Sequence, residues 1–138
     1  MTAVYEGGCQ CGAVRWRGRG PVANLCFCHC ESCRRASGAP FVAWGTFALE
    51  GFAIVRGALA QQSSSAHVRR GFCGACGTSL TYFHEGRAEE IDVTLASLDD
   101  PARLVPQRHI WVADKLPWVT LADGLPQYET VRSSAELP

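Results

Sequence analysis

Eight cysteines carry most of the chemistry this sequence can do, and they fall into three short blocks. The third block, Cys73-Gly74-Ala75-Cys76-Gly77, is a Cys-x-x-Cys-Gly turn. Such a turn sets two thiolates on one side of a tight loop, and its glycines let backbone N–H groups point at the sulfurs. It supplies half of a tetrahedral zinc site. The first block, Cys9-Gln10-Cys11-Gly12, is the natural complement, giving a structural Cys₄ site from Cys9, Cys11, Cys73 and Cys76. The ion would close a loop of more than sixty residues. Structural zinc contributes roughly 10–16 kcal/mol of apparent binding energy, which exceeds the logarithmic cost of that closure. A redox dithiol at Cys73 and Cys76 is the alternative. It would open a helix in a βαβ setting, whereas Thr78-Ser79-Leu80-Thr81-Tyr82 predicts a strand.

The middle block is Cys26-Phe27-Cys28-His29-Cys30-Glu31-Ser32-Cys33, followed by Arg34 and Arg35. Cys28, Cys30 and Cys33 are three thiols within six residues. Three protein ligands with one open position is the plan of a catalytic zinc site. A closed structural site with Cys26 as fourth ligand fits the spacing equally well, and zinc storage or thiol-redox sensing through the four cysteines is a further alternative. Arg34 and Arg35 are candidates for a ligand's carboxylates; Arg69–Arg70 is a second basic spot. His29, between two ligand candidates, is expected to turn away from a metal. His84 and His109 read as structural or surface residues.

Short strands must position these blocks. Val14-Arg15-Trp16-Arg17 alternates apolar and basic residues, and Ile91-Asp92-Val93-Thr94-Leu95 alternates cleanly, as half-buried strands do. Phe41–Trp44, Phe52–Val55, His67–Phe72, Leu80–Phe83 and His109–Val112 are further candidates, punctuated by 14 glycines and 7 prolines. Two stretches read as short helices: one from Glu31 or Ser32 to near Gly38, the other Asp99–Arg103, with aspartate at the cap and proline next. Gln61–Ser65 reads as a mobile polar loop and residues 133–138 as a frayed tail. The class is therefore mainly β, with antiparallel sheets, in one domain over residues 1–138.

Composition narrows the partners. Lys plus Arg and Asp plus Glu are 13 each, so the formal net charge is zero. A nucleic-acid binder would show a basic excess, and neutrality also argues against an anionic membrane surface. The N-terminal Met1–Glu6 lacks a basic region followed by an apolar run. A soluble cytoplasmic protein is expected, where thiols stay reduced and metal explains the cysteines better than disulfides.

Three blocks in order, Gly8-Cys9-Gln10-Cys11-Gly12-Ala13-Val14-Arg15, Cys28-His29-Cys30-Glu31-Ser32-Cys33-Arg34-Arg35-Ala36-Ser37-Gly38-Ala39-Pro40 and Phe72-Cys73-Gly74-Ala75-Cys76-Gly77, resemble the glutathione-dependent formaldehyde-activating enzyme family. The centromere protein V group belongs to the same superfamily. Val93–Pro101, His109-Ile110-Trp111, Trp118 and Asp123-Gly124-Leu125-Pro126 extend the likeness over nearly the whole chain. The resemblance implies an Mss4-like fold of antiparallel sheets built around a structural zinc on Cys9, Cys11, Cys73 and Cys76. It implies a second zinc at an open, catalytic-type site on Cys28, Cys30 and Cys33, with Cys26 outside the motif. It also implies a carbon–sulfur lyase acting on a thiol–aldehyde adduct, with glutathione and formaldehyde as the named pair. A non-catalytic zinc module that binds a small thiol or a protein partner is the alternative.

Overall fold

A computed structural model describes residues 2–131 of the chain; the tail expected at 133–138 lies outside the described residues. Ten strands form two sheets among them. β1 (Val4–Gly8), β2 (Arg15–Arg19) and β5 (Phe52–Arg56) make an antiparallel three-stranded sheet in the order β1-β2-β5. The second sheet contains β3 (Ala23–Cys28), β4 (Val42–Ala48), β6 (Ala60–Ser65), β7 (Val68–Phe72), β8 (Ser79–His84), β9 (Glu90–Thr94) and β10 (His109–Ile110). Its order is β10-β3-β4-β9-β8-β7-β6, antiparallel except for the parallel pairing of β10 with β3. The mainly β expectation holds. No helix of the described residues is long and apolar enough to cross a membrane.

The main core contains Trp16 and Phe47, both fully buried, with Val93, Leu95 and Leu98. Trp16 meets Phe47 edge-on with centroids 5.9 Å apart, and its indole N–H donates to Ser97 Oγ at 3.1 Å. Burying each such ring contributes roughly 1.5–3 kcal/mol. Gly18 on β2 allows the close approach, since a Cβ there would stand 2.5 Å from the Phe47 ring. A second cluster holds Cys26, Cys28, Cys33, Val42 and Trp44.

One α-helix, α1 (Glu31–Ser37), matches the expected helix after the middle cysteines. Gly38 ends it in the left-handed conformation at φ 68°, where glycine carries no steric penalty. The second expected helix is only a 3₁₀ turn, Pro101–Arg103, and Asp100 makes no side-chain capping bond to it. Gln61–Ser65 is no loop: it belongs to β6, paired antiparallel with β7 along one edge. Its polar side chains hide the strand from a hydropathy reading, and the ladder to β7 supplies the order. The His109–Val112 strand is cut to two residues because Trp111 adopts φ 57° and leads into a 3₁₀ turn, Val112–Asp114.

Registered partners show how the second sheet builds a surface. Thr46 faces Asp92, Asp92 faces Tyr82, Tyr82 faces Arg70, and Arg70 faces Gln62. Directly paired residues share a face of a sheet, so these side chains form one row. They lie on the opposite face from Gly45 and Val93, which are paired with each other.

Candidate metal centres

The four cysteines expected to form the Cys₄ site converge. Their sulfurs all lie within 4.8 Å of one another. Cys9 Sγ and Cys11 Sγ are 3.6 Å apart, and Cys11 Sγ and Cys73 Sγ 3.8 Å. Tetrahedral zinc with bonds of about 2.3 Å requires sulfur edges of about 3.8 Å, so the donor set fits that ion. Two matching turns aim the sulfurs. The Val14 amide donates to Cys9 Sγ at 3.2 Å and the Cys76 amide to Cys73 Sγ at 3.4 Å. Gly12 at φ 80° and Gly77 at φ 83° close them.

These contacts also set the thiol chemistry. Hydrogen bonds from the Thr78 hydroxyl and amide pull the Cys76 thiol down to about 5. The Val14 amide lowers Cys9. At Cys11 the Ala13 amide favours the thiolate, but the neighbouring sulfurs of Cys9 and Cys76 win and push it up to about 11. Cys9 and Cys11 follow β1 of the small sheet, whereas Cys73 and Cys76 follow β7 of the large one. The cluster therefore joins the two sheets.

The second group is Cys28, Cys30 and Cys33, whose sulfurs again lie within 4.8 Å of one another. Cys28 ends β3, Cys30 is the N-cap of α1 and Cys33 lies in its first turn. The Cys33 amide donates to Cys30 Sγ at 3.3 Å. Cys26 does not join this group. It sits one strand period before Cys28, and burial pushes its thiol up to about 12. Three sulfurs, not four, converge here. Neighbouring Cys30 and Cys33 raise Cys28, whereas Cys28 and Cys30, followed by the charge of Arg70, draw Cys33 down to about 3.

Arg70 is the site residue that the cysteine motifs do not disclose. It is 5% exposed, and both of its terminal nitrogens stand 3.7 Å from Cys33 Sγ. It also donates to Ser32 Oγ at 2.9 Å and to Ser64 Oγ at 3.0 Å, with its guanidinium 4.9 Å from the centroid of the Tyr82 ring. The sequence signal was its place in a strand just before the Cys73 turn. Arg34 and Arg35 behave otherwise. Neither lines the cavity beside the cysteines, and Arg35 pairs with Glu31 at the surface.

His29 does turn away from the sulfurs. It is fully buried, and its Nε2 lies 2.8 Å from Nδ1 of His109, which is 1% exposed. Nε2 of His109 lies 2.7 Å from Asp123 Oδ2. A carboxylate can only accept, so His109 Nε2–H is the donor. In neutral rings His109 Nδ1 then accepts from His29 Nε2–H. Burial, with the charges of His109 and Lys115, holds His29 down at about 4, so it stays neutral. Its Nδ1 has no partner. This chain ties the Cys28–Cys30 loop to the segment carrying Trp111.

The three sulfurs open onto a cavity of about 870 Å³. Trp44, Tyr82 and Trp111 form apolar walls, and Asn24, Thr46, Asp92, Arg87 and Arg108 form a polar end. That volume lies in the usual range for small-molecule sites.

Sequence and structure comparisons agree with this geometry. The family model described as "Glutathione-dependent formaldehyde-activating enzyme" matches residues 4–114. A Halomonas elongata protein named for glutathione-dependent formaldehyde activation is 27% identical over 127 residues, covering 86% of this chain and 81% of that protein. A Schizosaccharomyces pombe protein named as an uncharacterised lyase is 34% identical over 79 residues, 57% of this chain and 56% of that protein; the match thus spans little more than half of the yeast relative. A crystal structure of a Rhodobacter sphaeroides protein superposes with a TM-score of 0.59 at 28% identity, covering 69% of this chain and 88% of that one. The paired cysteine turns, the triple-cysteine loop and the mainly β, Mss4-like fold are thus accounted for together: the chain belongs to the glutathione-dependent formaldehyde-activating enzyme family.

Proposed function

We propose that this protein is a zinc-dependent carbon–sulfur lyase acting on a thiol–aldehyde adduct, with S-hydroxymethylglutathione, formed from glutathione and formaldehyde, as the leading candidate. The observation that carries the reading is the three-sulfur cluster at the wall of a ligand-sized cavity, with Cys26 outside it. Family membership and the names of the two relatives support the reaction class.

Cys28, Cys30 and Cys33 would hold the catalytic ion, and Cys9, Cys11, Cys73 and Cys76 a structural one. When bound at the open site, zinc supplies a Lewis acid that keeps a thiol ionised near neutral pH or polarises a carbonyl oxygen. Arg70 stabilises the Cys33 thiolate and fixes its direction through two nitrogens. Trp44, Tyr82 and Trp111 give the cavity apolar walls beside the three sulfurs. The buried chain from Asp123 through His109 to His29 holds the cysteine loop in place.

Replacing Cys30 with serine tests the proposal. Wild-type protein is expected to carry two zinc ions per chain by metal analysis. Cys30→Ser should retain its circular dichroism, drop to one zinc and lose interconversion of the adduct, followed by NMR of the hydroxymethyl group. Full activity in a folded, one-zinc variant would end the catalytic assignment. Glutathione binding without turnover in the two-zinc wild type would instead identify a binding module.

A further inference from the structure

The polar end of the cavity contains three features that together describe a receptor. The first is an uncompensated cation. Three arginines line the cavity: Arg70, Arg87 and Arg108. Arg70 is engaged by Ser32, Ser64 and Cys33. Arg87 is held by Glu90 at 2.7 Å and Asp92 at 2.8 Å. The guanidinium of Arg108 makes no hydrogen bond and no ion pair among the described residues, although it is only partly exposed. None of the three acids lining the cavity serves it: Asp92 is occupied by Arg87 and by the Thr46 hydroxyl at 2.6 Å, Glu31 pairs with Arg35, and Asp114 accepts from the Glu31 amide.

The second feature is distance from the sulfurs. Ile110 on β10 pairs with Cys28, and the Arg108 carbonyl accepts the Phe27 amide at 2.9 Å. Arg108 therefore lies one two-residue step back along the strand, roughly 7 Å at the backbone, on the same face as Ile110. Both residues line the cavity. The third feature is Asn24. It adopts φ 51°, a left-handed conformation uncommon away from glycine, and donates from Nδ2 to Thr46 Oγ1 at 3.3 Å. That leaves its carbonyl oxygen free to accept from a ligand's amide.

We propose that Arg108 and Asn24, which both line this cavity, determine its specificity, selecting thiols that carry a carboxylate remote from their sulfur. The ligand lies along β3, with its sulfur at Cys28, Cys30 and Cys33 and its carboxylate on Arg108. A guanidinium meets a carboxylate through two parallel N–H···O bonds, and an arginine with no internal partner exchanges only water for them. The cavity volume agrees, because about 870 Å³ accommodates a peptide-sized ligand and a single small amino thiol would leave most of it to water. The sulfur end of this placement rests on the proposed lyase reading; the carboxylate end does not.

The test uses the zinc-loaded full chain and S-methylglutathione, which has both carboxylates but no free thiol and so cannot turn over. Calorimetry should show binding by the wild type, weakened about ten- to hundred-fold in Arg108→Gln and partly restored in Arg108→Lys. Because the Arg108 guanidinium has no internal partner, the variants should fold as the wild type does, checked by circular dichroism. Arg35→Gln should bind as the wild type. The diethyl ester of the same probe should bind weakly and equally to wild type and Arg108→Gln. The inference is overturned if Arg108→Gln binds S-methylglutathione as tightly as the wild type, if the ester binds as well as the acid, or if the wild type does not bind the acid at all. Arg108-dependent binding without turnover of the hydroxymethyl adduct would uphold this inference while removing the lyase reading. Turnover with binding independent of Arg108 would do the reverse.

Discussion

Replacing Cys73 with serine should cost far more stability than replacing Cys28, although each removes one ligand from one cluster. Cys11 and Cys73 touch through sulfur across 62 residues of sequence. Treated as a cross-link that stays on the chain when it unfolds, an ion closing a loop of that length removes about 4 kcal/mol of disorder from the unfolded chain. Cys28 and Cys33 stand only a few residues apart, and the same relation gives about 2 kcal/mol. A domain of this size has about 5–15 kcal/mol to lose, so the first loss is a large part of the whole. With a urea slope of about 2 kcal/mol per molar, Cys73→Ser should lower the unfolding midpoint by about 2 M and Cys28→Ser by about 1 M. The assay is urea unfolding followed by circular dichroism, with zinc counted in each variant to establish which site has emptied. Equal midpoint shifts for the two one-zinc variants would refute the idea that the Cys₄ cluster acts as the long-range tie.

Three other outcomes follow from particular contacts. Removing the charge of Arg70, 3.7 Å from Cys33 Sγ, forfeits about 4 kcal/mol at an effective dielectric of about 20. Arg70→Gln should therefore raise the Cys33 thiol once a mild chelator has emptied that site, read as ultraviolet thiolate absorbance against pH; an unchanged titration would contradict it. At Trp111, with φ 57°, glycine should give a more stable protein than alanine by about 1 kcal/mol, the reverse of the usual order, because only glycine takes that conformation without strain. The two melting curves decide it. Asp123 is held below its ordinary value, first by its hydrogen bond from His109. A depressed carboxyl stabilises the fold above its unfolded pKa, about 3.9, and that stability disappears as pH falls through the native value. Asp123→Asn should therefore be less stable than wild type near neutrality and converge on it in acid; a gap that widens on acidification would count against this.

Much of the fold was legible because apolar and polar residues alternate where one face of a strand is buried. The Val14–Arg17 and Ile91–Leu95 patterns found β2 and β9 for that reason. β6 was missed because both faces of Gln61–Ser63 are solvated, which leaves no alternation to read. The strand ending in Cys28 was missed because its cysteines read as ligands first and as a strand second. The convergence of the cysteines was legible because their spacing within each turn is local. Arg70 was visible only as part of the Arg69–Arg70 basic spot and Arg108 not at all, because each acquires its role from strand pairing: Arg70 faces Tyr82 across β7 and β8, and Arg108, just before β10, lies against β3. Arg34 and Arg35 looked better placed only because they are adjacent to the cysteines in sequence, and α1 points Arg35 to solvent instead.

The strand β7 belongs to both cysteine clusters. Its centre carries Arg70, which holds Cys33, and the chain leaving it reaches Cys73 within three residues. A shift at the Cys73 turn is therefore also a shift of the cation beside the open site. Thermodynamic reciprocity makes the traffic two-way: if filling the structural site changes metal affinity at the triple-cysteine loop by some factor, filling the loop changes affinity at the structural site by the same factor. Favourable coupling would then make the two ions load and leave cooperatively, whichever site binds more tightly alone.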